Sequence, residues 1–402
     1  MTMTPTEVAA LLDVSESTLN EFETRDPAND GNRFKGYLCR QSDHRYGALV
    51  IVQVNDEDTD PQVIYCTPKL HYPFERSSKG EAAEDRKYRF PTKIVRGTVY
   101  EKLDGTNVFA YSYANAAGER FTTFKTRLTP ILNDDSKWGS FYSLWSELME
   151  ANVELREMVE HVREGVVGLS FELYGYRNQH LIVYEEALAT KLLFVVQQNN
   201  ARVLPPEAWT PARGNLFALV PEANLQDPSD LIHFYNEKRD EADAQNVKLQ
   251  DGDEEVIKGT EGYIFYLLDE TGEWSMWKCK PDSVEVLHWT TDYLPEAVIL
   301  PTVWNSLESC PGGLTVEYVR ELLLEEFSDS QVNKSDYRIR KCVDQVKATL
   351  AWREKVMIEY RSTGLSWEED GKGAVMRALS GRIPRDKMRA AFSALKQMGI
   401  AN

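Results

Sequence analysis

Five charged residues of this 402-residue chain have types and neighbours suited to nucleophilic chemistry on a charged substrate. Each lies in or beside an apolar, strand-like run, and together they span about 180 residues. A lysine near apolar walls and other cations is favoured as the neutral amine, which is a nucleophile. A glutamate among apolar neighbours is costly to bury, so it needs a basic or ligand partner. The five residues are Lys102, Glu172, Glu261, Lys278 and Lys280.

Lys102 belongs to the tetrapeptide Lys-Leu-Asp-Gly, which lies between two apolar, aromatic-rich runs. The pattern over Thr98–Tyr113 predicts a strand, a tight polar turn and a second strand, with Gly105 turning sharply beside a ligand. Three fixed residues recur by chance, so a surface lysine in a hairpin turn is the alternative. The motifs further along the chain favour a functional site over a surface lysine.

Alternation with period two places pairs of cations on common strand faces. Lys125 and Arg127 share one face, where they could meet a polyphosphate, and an exposed basic edge strand is the alternative. Lys278 and Lys280 share a face of the run that follows the turn at 269–273, and solvated edge charges are the alternative there.

The remaining pattern predicts helices together with antiparallel strands. Thr4 and Glu7 form a capping box for a short helix, and residues 136–166 have helical spacing. Strand-like runs occupy much of the rest of the first 280 residues. These runs are 47–54, 62–65, 168–175, 180–184, 192–196, 258–268 and 274–280, and a polar turn at 55–60 separates the first two.

Beyond Pro301 the pattern changes to helices. We therefore expect two domains, 1–300 and 301–402, with a boundary near 301–313, where prolines and glycines cluster. Three helices are predicted in the second domain: the first begins at Thr315, the second spans 334–360 and the third spans 383–398.

Charge is distributed unevenly along the chain. The net charge of −18 argues by itself against a nucleic-acid partner. However, residues 331–402 hold 15 lysines and arginines against 8 aspartates and glutamates, a net +7, whereas the other 330 residues carry −25. This asymmetry is typical of a basic binding module, and a solvated helix face is the alternative.

Composition predicts a reduced, cytoplasmic protein. No apolar run approaches the ~20 residues that span a bilayer, and the first residues lack the basic start and apolar core of a signal peptide. The five cysteines are scattered and form no C-x-x-C pair, which argues against a zinc site.

Read in order, the motifs are Lys-x-Asp-Gly, Phe-Glu-Leu, Glu-Gly-Tyr and Lys-x-Lys. Their forms resemble those of the covalent nucleotidyltransferases, the superfamily of ATP-dependent polynucleotide ligases and mRNA capping enzymes. Within it the chain is most similar to the phage RNA ligases that reseal cut tRNA anticodon loops. The likeness covers roughly residues 40–290, and segments 124–127, 171–184, 191–196 and 261–280 carry it.

This resemblance implies an α+β fold, with a nucleotidyltransferase catalytic domain of ATP-grasping antiparallel sheets followed by a mainly helical C-terminal domain. It also implies a reaction. Lys102 would attack the α-phosphate of ATP, release pyrophosphate and carry AMP as a phosphoramidate. The AMP would pass to the 5′-phosphate of an RNA, and a 3′-hydroxyl would then displace it.

The resemblance assigns roles to further side chains. Asp104 would assist the active lysine, Glu172 would accept a hydrogen bond from the ribose, and Glu261 would orient Mg²⁺ (or Mn²⁺) or its water. Lys278 and Lys280 would contact the α-phosphate, and the charge of Lys280 would help to hold Lys102 deprotonated. The β and γ phosphates would be bound by Arg45, Lys69, Lys125 and Arg127, with Arg40 or Lys93 as alternatives for the first two, and Glu101 and Gly105 complete the nucleotide-binding set.

Other members of the superfamily are alternatives. DNA ligases and capping enzymes follow Lys-x-Lys with a β-barrel domain, whereas the sequence after Trp289 lacks five alternating strands. GTP preference would identify a capping enzyme, and sealing of nicked duplex DNA a DNA ligase. A non-catalytic RNA-binding protein on a ligase fold is the alternative of another class.

The predicted partner is RNA with 5′-phosphate and 3′-hydroxyl ends, with tRNA as one example and no membrane involved. The chain has no G-x-x-x-x-G-K-[ST] loop, so we expect a separate kinase and phosphatase to heal the ends. The expected compartment is the cytoplasm, which would be that of an infected host if a phage encodes the protein.

Overall fold

The computed structural model describes most of the chain. The described residues are 3–29, 31–74, 86–132, 139–209, 221–225, 227–251, 254–285, 294–307, 313–324, 327 and 329–401.

The described residues form β-strands over most of the first 280 positions and α-helices beyond them. The strands are β1 (Leu19–Arg25), β2 (Arg33–Cys39), β3 (Leu49–Val54), β4 (Glu57–Ile64), β5 (Ile94–Glu101), β6 (Thr106–Ala114), β7 (Arg120–Lys125), β8 (Val167–Tyr174), β9 (Ala189–Gln197), β10 (Val203–Leu204), β11 (Ala223–Asn224), β12 (Val247–Asp251), β13 (Glu254–Lys258), β14 (Tyr263–Asp269) and β15 (Trp274–Cys279). The helices are α1 (Pro5–Leu12), α2 (Phe141–Ala151), α3 (Val153–Glu160), α4 (Leu231–Gln245), α5 (Asp282–Glu285), α6 (Glu296–Ser306), α7 (Val316–Leu324), α8 (Asp329–Lys334), α9 (Asp336–Arg361), α10 (Trp367–Ser380) and α11 (Met388–Gln397).

All strand pairings within the named sheets are antiparallel, so the predicted α+β class is confirmed. The sheet orders are β1-β2-β3-β4, β10-β9-β8-β6-β7, β11-β5-β14-β15 and β12-β13. The described residues from 294 onward contain helices and no strand, as predicted for the C-terminal part.

The prediction of a hairpin around Lys102 is wrong. β5 pairs with β14 and β11, whereas β6 pairs with β7 and β8 in a different sheet. The tetrapeptide 102–105 therefore carries the chain from one sheet to another. Sequence pattern identified both strands, but alternation within a strand does not specify its partner, and β5 and β6 do not pair with each other.

An aromatic core lies between these two sheets. Tyr100 and Tyr266 come from one sheet, Phe194 comes from the other, and Leu103 of the crossover packs with them. The Tyr266 hydroxyl donates to the carbonyl of Leu193 at 2.8 Å, so its polar atom is satisfied within the core. Each such fully buried side chain contributes ~1.5–3 kcal/mol to folding, which holds the crossover in place.

Several local predictions are confirmed. α1 begins with the capping box of Thr4 and Glu7, since the Thr4 amide donates to Glu7 Oε2 at 2.7 Å and the Glu7 amide to Thr4 Oγ1 at 3.4 Å. The strands expected at 168–175 and 192–196 and the hairpin that ends near 280 are β8, β9 and β14-β15.

Other local predictions need correction. The turn expected at 55–60 contains only Asn55 and Asp56, both with positive φ, and β4 begins directly after it. Residues 180–184 form one isolated bridge, Ile182 with Ile257, and no strand. The helix expected over 136–166 breaks at Asn152 into α2 and α3 and ends in a 3₁₀ turn, and its expected start lies outside the described residues.

Among the described residues, those within Met1–Leu132 and Glu147–Thr290 form one compact unit, and those within Asn133–Ser146 and Thr291–Asn402 form a second. The division at residue 300 stays a prediction. Pro301 lies inside α6, so this proline does not mark a linker. The sequence pattern also missed α10.

No helix of the described residues is long and apolar enough to cross a membrane. The described cysteines, Cys39, Cys66, Cys279 and Cys342, are buried and form no disulfide bond, and Cys310 lies outside the described residues.

Candidate functional site

Lys102 lies at the point where the chain leaves β5. Its amide donates to the carbonyl of Gly262 at 2.8 Å, which fixes the backbone of Lys102 to the start of β14. Gly262 has φ of +129°, and a Cβ there would lie 2.1 Å from the carbonyl oxygen of Cys279. Only glycine lets these segments approach so closely. The Glu-Gly motif thereby brings Glu261 beside Lys102 and the end of β15.

Glu261 binds two lysines at once. One carboxylate oxygen contacts Lys102 Nζ, and the other lies 2.6 Å from Lys280 Nζ. The side chains of Lys102 and Lys280 are about one-fifth exposed, at 19% and 21%, whereas that of Glu261 is 6% exposed. Three of the five residues singled out from sequence thus form one cluster, which we call the Lys102–Glu261–Lys280 triad.

The triad keeps Glu261 ionised. Burial by itself would raise the pKa of this carboxyl, but the positive charges and hydrogen bonds of Lys102 and Lys280 outweigh it and lower the pKa to about 2. A carboxylate shared by two ammonium groups is a strong, charge-assisted arrangement. The triad therefore carries a net positive charge, which suits a phosphate.

Asp104 binds the neighbouring loop. Its Oδ2 accepts hydrogen bonds from the amides of Leu181 and Ile182 at 2.6 and 2.7 Å. Its own amide donates to the hydroxyl of Tyr184 at 2.8 Å. These bonds hold the tetrapeptide to the 181–184 segment, which itself pairs with Ile257 of β13.

Glu172 lies on β8 and faces the same tetrapeptide. Its Oε1 accepts a hydrogen bond from the amide of Gly105 at 3.1 Å. Burial raises the pKa of Glu172 to about 8, although Lys102 opposes the rise, and Glu261 and Asp104 add to it. Glu172 is therefore mostly protonated at neutral pH, when it can both donate and accept hydrogen bonds.

Gly105 is required by packing at this point. A Cβ on Gly105 would lie 2.1 Å from the carbonyl oxygen of Leu173 in β8. The prediction of a turn glycine was made for another reason, a sharp hairpin, and the structure replaces that reason with close approach between the crossover and β8.

Two further predicted cations are Arg127, which lies near Glu172, and Lys278, which lies on β15. Arg127 is close enough to Glu172 to lower its pKa, and its Nε donates to the carbonyl of Thr67 at 3.2 Å. Lys278 is two residues before Lys280 on β15, and its Nζ lies 4.4 Å from the ring centre of Tyr72.

Lys69 lines a cavity of about 540 Å³ in the same unit. The cavity also contacts Trp274 and Met276, which precede Lys278 on the same face of β15 by the two-residue period. His71 lines it as well, and its carbonyl accepts the amide hydrogen bond of Lys278 at 3.0 Å.

The structure places Lys125 in a different role from the predicted phosphate contact. Its side chain is fully buried, and its Nζ donates to the carbonyls of Gly47, Thr126 and Arg127 at 3.0, 2.8 and 2.8 Å and lies 3.3 Å from Cys66 Sγ. β7 ends at Lys125, so the alternation that put Arg127 on the same face does not continue. We call this arrangement the Lys125 nest.

Arg45 is also bound elsewhere. Its guanidinium donates to both oxygens of Asp43 and, at 2.8 Å, to the carbonyl of Leu12 at the end of α1. Of the alternatives, Lys93 forms an exposed ion pair with Glu270 at 3.0 Å. Sequence spacing in this region could not separate a structural ion pair from a phosphate ligand.

Glu101 precedes Lys102 on β5 and pairs with Tyr263 of β14. Burial raises the pKa of its carboxyl, the negative charge of Glu222 raises it further, and a hydrogen bond with Thr260 opposes the rise. Glu101 is therefore the last residue of β5 before the crossover and directly precedes Lys102 of the triad.

Sequence reasoning missed two groups that build the site. Tyr184 and the amides at 181–182 hold Asp104, and Thr260 fixes the entry to β14 by accepting from the Gly262 amide at 3.1 Å. Tyr184 stood in a run interpreted as a strand, where an aromatic is expected to pack, so no signal distinguished it. Thr260 directly precedes the Glu-Gly motif, and its hydroxyl was the available signal.

The donor set fits a metal ion that ATP also binds. Mg²⁺ prefers oxygen ligands and commonly takes one or two carboxylates together with phosphates and water. Glu261 supplies an ionised carboxylate beside the ammonium groups of Lys102 and Lys280. No group of three His, Cys, Asp or Glu side chains in the described parts of the chain is arranged to hold a metal by itself.

Comparison with known proteins gave structural likenesses only. No protein-family model matches the chain, and no curated protein matches it. It is similar to an archaeal ATP-dependent RNA ligase, with 14% identity, a TM-score of 0.43 and coverage of 90% of this chain and 84% of that one. It is also similar to an Aquifex aeolicus protein with the provisional name of ATP-dependent DNA ligase, with 13% identity, a TM-score of 0.43 and coverage of 89% of this chain and 81% of that one. Its similarity to Naegleria gruberi RNA ligase with PPi has 10% identity, a TM-score of 0.31 and coverage of 67% of this chain and 98% of that one.

These identities and TM-scores are too low to carry a functional assignment, which therefore depends on the site itself.

Proposed function

We propose that this chain is an ATP-dependent RNA ligase of the covalent nucleotidyltransferase type, which joins 3′-hydroxyl and 5′-phosphate ends through a lysyl-AMP intermediate. The observation that carries the proposal is the Lys102–Glu261–Lys280 triad at the crossover between two sheets. It places two partly exposed lysines, Lys102 and Lys280, on the buried carboxylate of Glu261. The close approach of Gly262 to Cys279 makes this arrangement possible.

The first step requires the ion pair of Lys102 to open. An ammonium group bound to a carboxylate is not a nucleophile, so Lys102 must leave Glu261 and lose a proton. Its amine then forms a bond to the α-phosphorus of ATP, and the bond from that phosphorus to the bridging oxygen breaks, releasing pyrophosphate. Lys280 remains beside the α-phosphate, where its charge stabilises the negative charge that develops.

The other residues position the nucleotide. Protonated Glu172 can donate a hydrogen bond to a ribose hydroxyl while its Oε1 still accepts from Gly105. Arg127, Lys278 and Lys69 supply cations for the remaining phosphates. Asp104 holds the tetrapeptide in register through the amides of the 181–184 segment.

Glu261 is the residue that would hold a divalent cation together with the ATP phosphates. Mg²⁺ or Mn²⁺ bound there would neutralise charge on the leaving pyrophosphate. In the second step an oxygen of the RNA 5′-phosphate would form a bond to the AMP phosphorus, and the P–N bond to Lys102 would break. In the last step the 3′-hydroxyl oxygen would form a bond to the 5′-phosphorus of the RNA and lose its proton, and AMP would leave.

RNA, with tRNA as one example, is proposed over DNA because the described residues from 294 onward form helices, whereas the resemblance implies a β-barrel domain after Lys-x-Lys in DNA ligases. The +7 of segment 331–402 suits the phosphate backbone of either nucleic acid. We further propose that the protein acts in the cytoplasm on ends healed by a separate kinase and phosphatase. Nicked duplex DNA and GTP are the comparison substrates that test this choice.

The test is label transfer from α-labelled ATP to the denatured protein in the presence of magnesium. We expect labelled wild type, with the label released by acid and retained in alkali as a P–N bond requires. Lys102→Ala should lower labelling at least about 1,000-fold, since no nucleophile remains. Lys341→Ala is the matched control, because Lys341 also pairs with a glutamate, at 2.7 Å, but on the exposed surface of the helical unit.

Two outcomes would overturn the proposal: labelling of Lys102→Ala at the wild-type rate, or a wild type that takes no label and carries no AMP by mass spectrometry. Label from GTP alone would assign the protein to the capping enzymes.

A further inference from the structure

The helical unit contains a cavity of about 490 Å³ between α9 and α11, with residues just before α11 at one end. We propose that this cavity binds the phosphodiester backbone of the RNA substrate, at a site separate from the catalytic cluster. The proposal rests on the proposed function, because it names the surface that would receive the RNA of that reaction.

The charge of the cavity fits a polyanion. Its lining includes Arg353, Lys387 and Arg389 but only one acid, Asp386. Lys387 and Arg389 are exposed, so a ligand can reach them from solvent. The cavity lies within the segment whose net charge is +7 in a chain whose other residues carry −25. Such a concentration of cations in an acidic protein is the electrostatic pattern of a nucleic-acid site.

The start of α11 adds to this field. Lys387 is the residue before the helix, Arg389 lies in its first turn, and that turn contains no acid. The helix dipole places partial positive charge at the same end, so the two cations are there at an electrostatic cost. A phosphate bound in the cavity would remove that cost, whereas an apolar or cationic ligand would not.

The lining also supplies hydrogen-bond donors. The Arg353 guanidinium packs 5.2 Å from the ring centre of Trp304 and donates to Gln397 Oε1 at 3.2 Å. Gln397 itself lines the cavity with its side-chain amide. Ser393 adds a hydroxyl, and phosphate contacts in nucleic-acid complexes come from such donors together with arginine and lysine.

Trp352 gives the site a place for a base. Its ring is half-buried, and its Nε1 donates to the carbonyl of Ala390 at 3.4 Å, which sets the ring across the groove between the two helices. Bases stack on such rings with little dependence on sequence. Single-stranded RNA, with unstacked bases beside its phosphates, therefore matches this lining better than a regular duplex does.

The experiment measures RNA binding and lysyl-AMP formation on the same full-length variants. The test variant is Lys387→Glu/Arg389→Glu, and the probe is a 3′-fluorescein, 5′-phosphorylated single-stranded RNA of about 20 nucleotides, a length that exceeds one binding site. We expect its affinity to fall at least about tenfold, and the slope of log affinity against log salt, measured between about 50 and 200 mM, to become shallower by about 1.4 for two lost phosphate contacts. Labelling of Lys102 from ATP should stay at the wild-type rate.

The matched control is Lys347→Glu/Lys355→Glu. These two lysines are exposed on α9 and do not line the cavity, yet the variant changes net charge by the same amount. It should keep the wild-type salt slope and most of the affinity. A single change, Trp352→Leu, should weaken binding about fivefold without changing the salt slope, because stacking is lost and charge is not.

Wild-type affinity and slope in the cavity variant would overturn the proposal, as would equal losses in the control variant. Equal binding of a DNA strand of the same sequence would keep the phosphate site and remove its preference for RNA. Failure of the proposed function has a different signature: the wild type would take no label from ATP while its RNA binding still responded to the cavity variants.

Discussion

Lys102 and Lys125 are both enclosed lysines of the same unit, but their partners differ in kind. Lys102 binds the ionised carboxylate of Glu261, which Lys280 shares, and its side chain is 19% exposed. Lys125 is fully buried in a nest of three carbonyls and a thiol, and burial lowers its pKa. The difference teaches that burial alone does not mark a reactive lysine. A lysine can act as a nucleophile only if its amino group can separate from its partner. The amino group of Lys125 could separate from its three backbone carbonyls only if this part of the chain unfolded.

After Lys102→Ala, the largest expected effect on labelling follows from removing the shared carboxylate. Glu261→Gln leaves Lys102 and Lys280 facing each other without a counter-charge in a mostly buried site. We expect the free energy of unfolding to fall by about 3 kcal/mol, as when one partner of a buried ion pair is removed, and lysyl-AMP formation to slow by roughly 100-fold or more. Urea unfolding and single-turnover labelling measure the two effects.

Glu296→Gln is the control for this variant, because Glu296 pairs with Lys341 at 2.7 Å on the surface. Its effect on stability should stay below about 1 kcal/mol, with labelling unchanged. If Glu261→Gln behaved like this control, the triad would be an ordinary ion pair and the comparison with the Lys125 nest would lose its basis.

An intermediate effect is expected from Lys125→Met. The change leaves three buried carbonyls without their donor, so the free energy of unfolding should fall by about 2 kcal/mol. The labelling rate of the folded variant at saturating ATP should remain within about threefold of wild type, because the buried Lys125 ammonium is bound to backbone carbonyls. Labelling is measured well below the thermal midpoint of the variant, so that all of the protein is folded.

A loss of labelling as complete as that of Lys102→Ala, with stability unchanged, would restore the original prediction that Lys125 binds the phosphates. Lys35→Met provides the comparison, since Lys35 pairs with Glu23 at 3.3 Å on the N-terminal sheet and is only partly buried.

The last prediction concerns a pH dependence of stability that arises from Glu172. Its pKa is about 8 in the folded chain against an ordinary 4.5, so between these values the unfolded chain has released a proton that the folded chain retains. Its contribution to the free energy of unfolding is therefore complete below pH 4.5, falls as the pH rises to about 8 and is constant above that. Glu172→Gln removes this dependence.

We therefore expect the unfolding free energy of Glu172→Gln, relative to wild type, to rise steadily between pH 5 and pH 8. Chemical unfolding at a series of pH values tests it, with Glu57→Gln on the exposed surface as reference. Parallel curves for wild type and Glu172→Gln would mean that Glu172 is ionised in the folded protein.

The sequence was informative about which residues form the site and less so about how they are held. Lys102, Glu172, Glu261 and Lys280 could be named because each is a charged residue in an apolar context, and such residues need partners. The sheet crossover could not be predicted, because strand alternation gives faces and not partners. For the same reason, Lys125 looked like a surface cation: its acceptors are backbone carbonyls, and backbone atoms leave no trace in the sequence.

Helical segments beyond residue 301 were predicted from their periodicity, and α10 was missed. Its glycines, Gly371 and Gly373, lower helix propensity, and Gly371 has φ of +77° within the helix span. The cavity between α9 and α11 also left no pattern, since its lining comes from residues nearly fifty positions apart that meet only after the helices pack.

The packing of Leu103 restricts the residues that can occupy the second position of the tetrapeptide. Leu103 is 6% exposed and packs in the aromatic core between the two sheets, while the residues on either side of it face the site. The second position of Lys-x-Asp-Gly therefore requires an apolar residue in this protein, because a charged or polar side chain there would have to enter an apolar core. A search pattern that admits only apolar residues at this position would discard most chance matches and retain chains in which the motif joins two packed sheets.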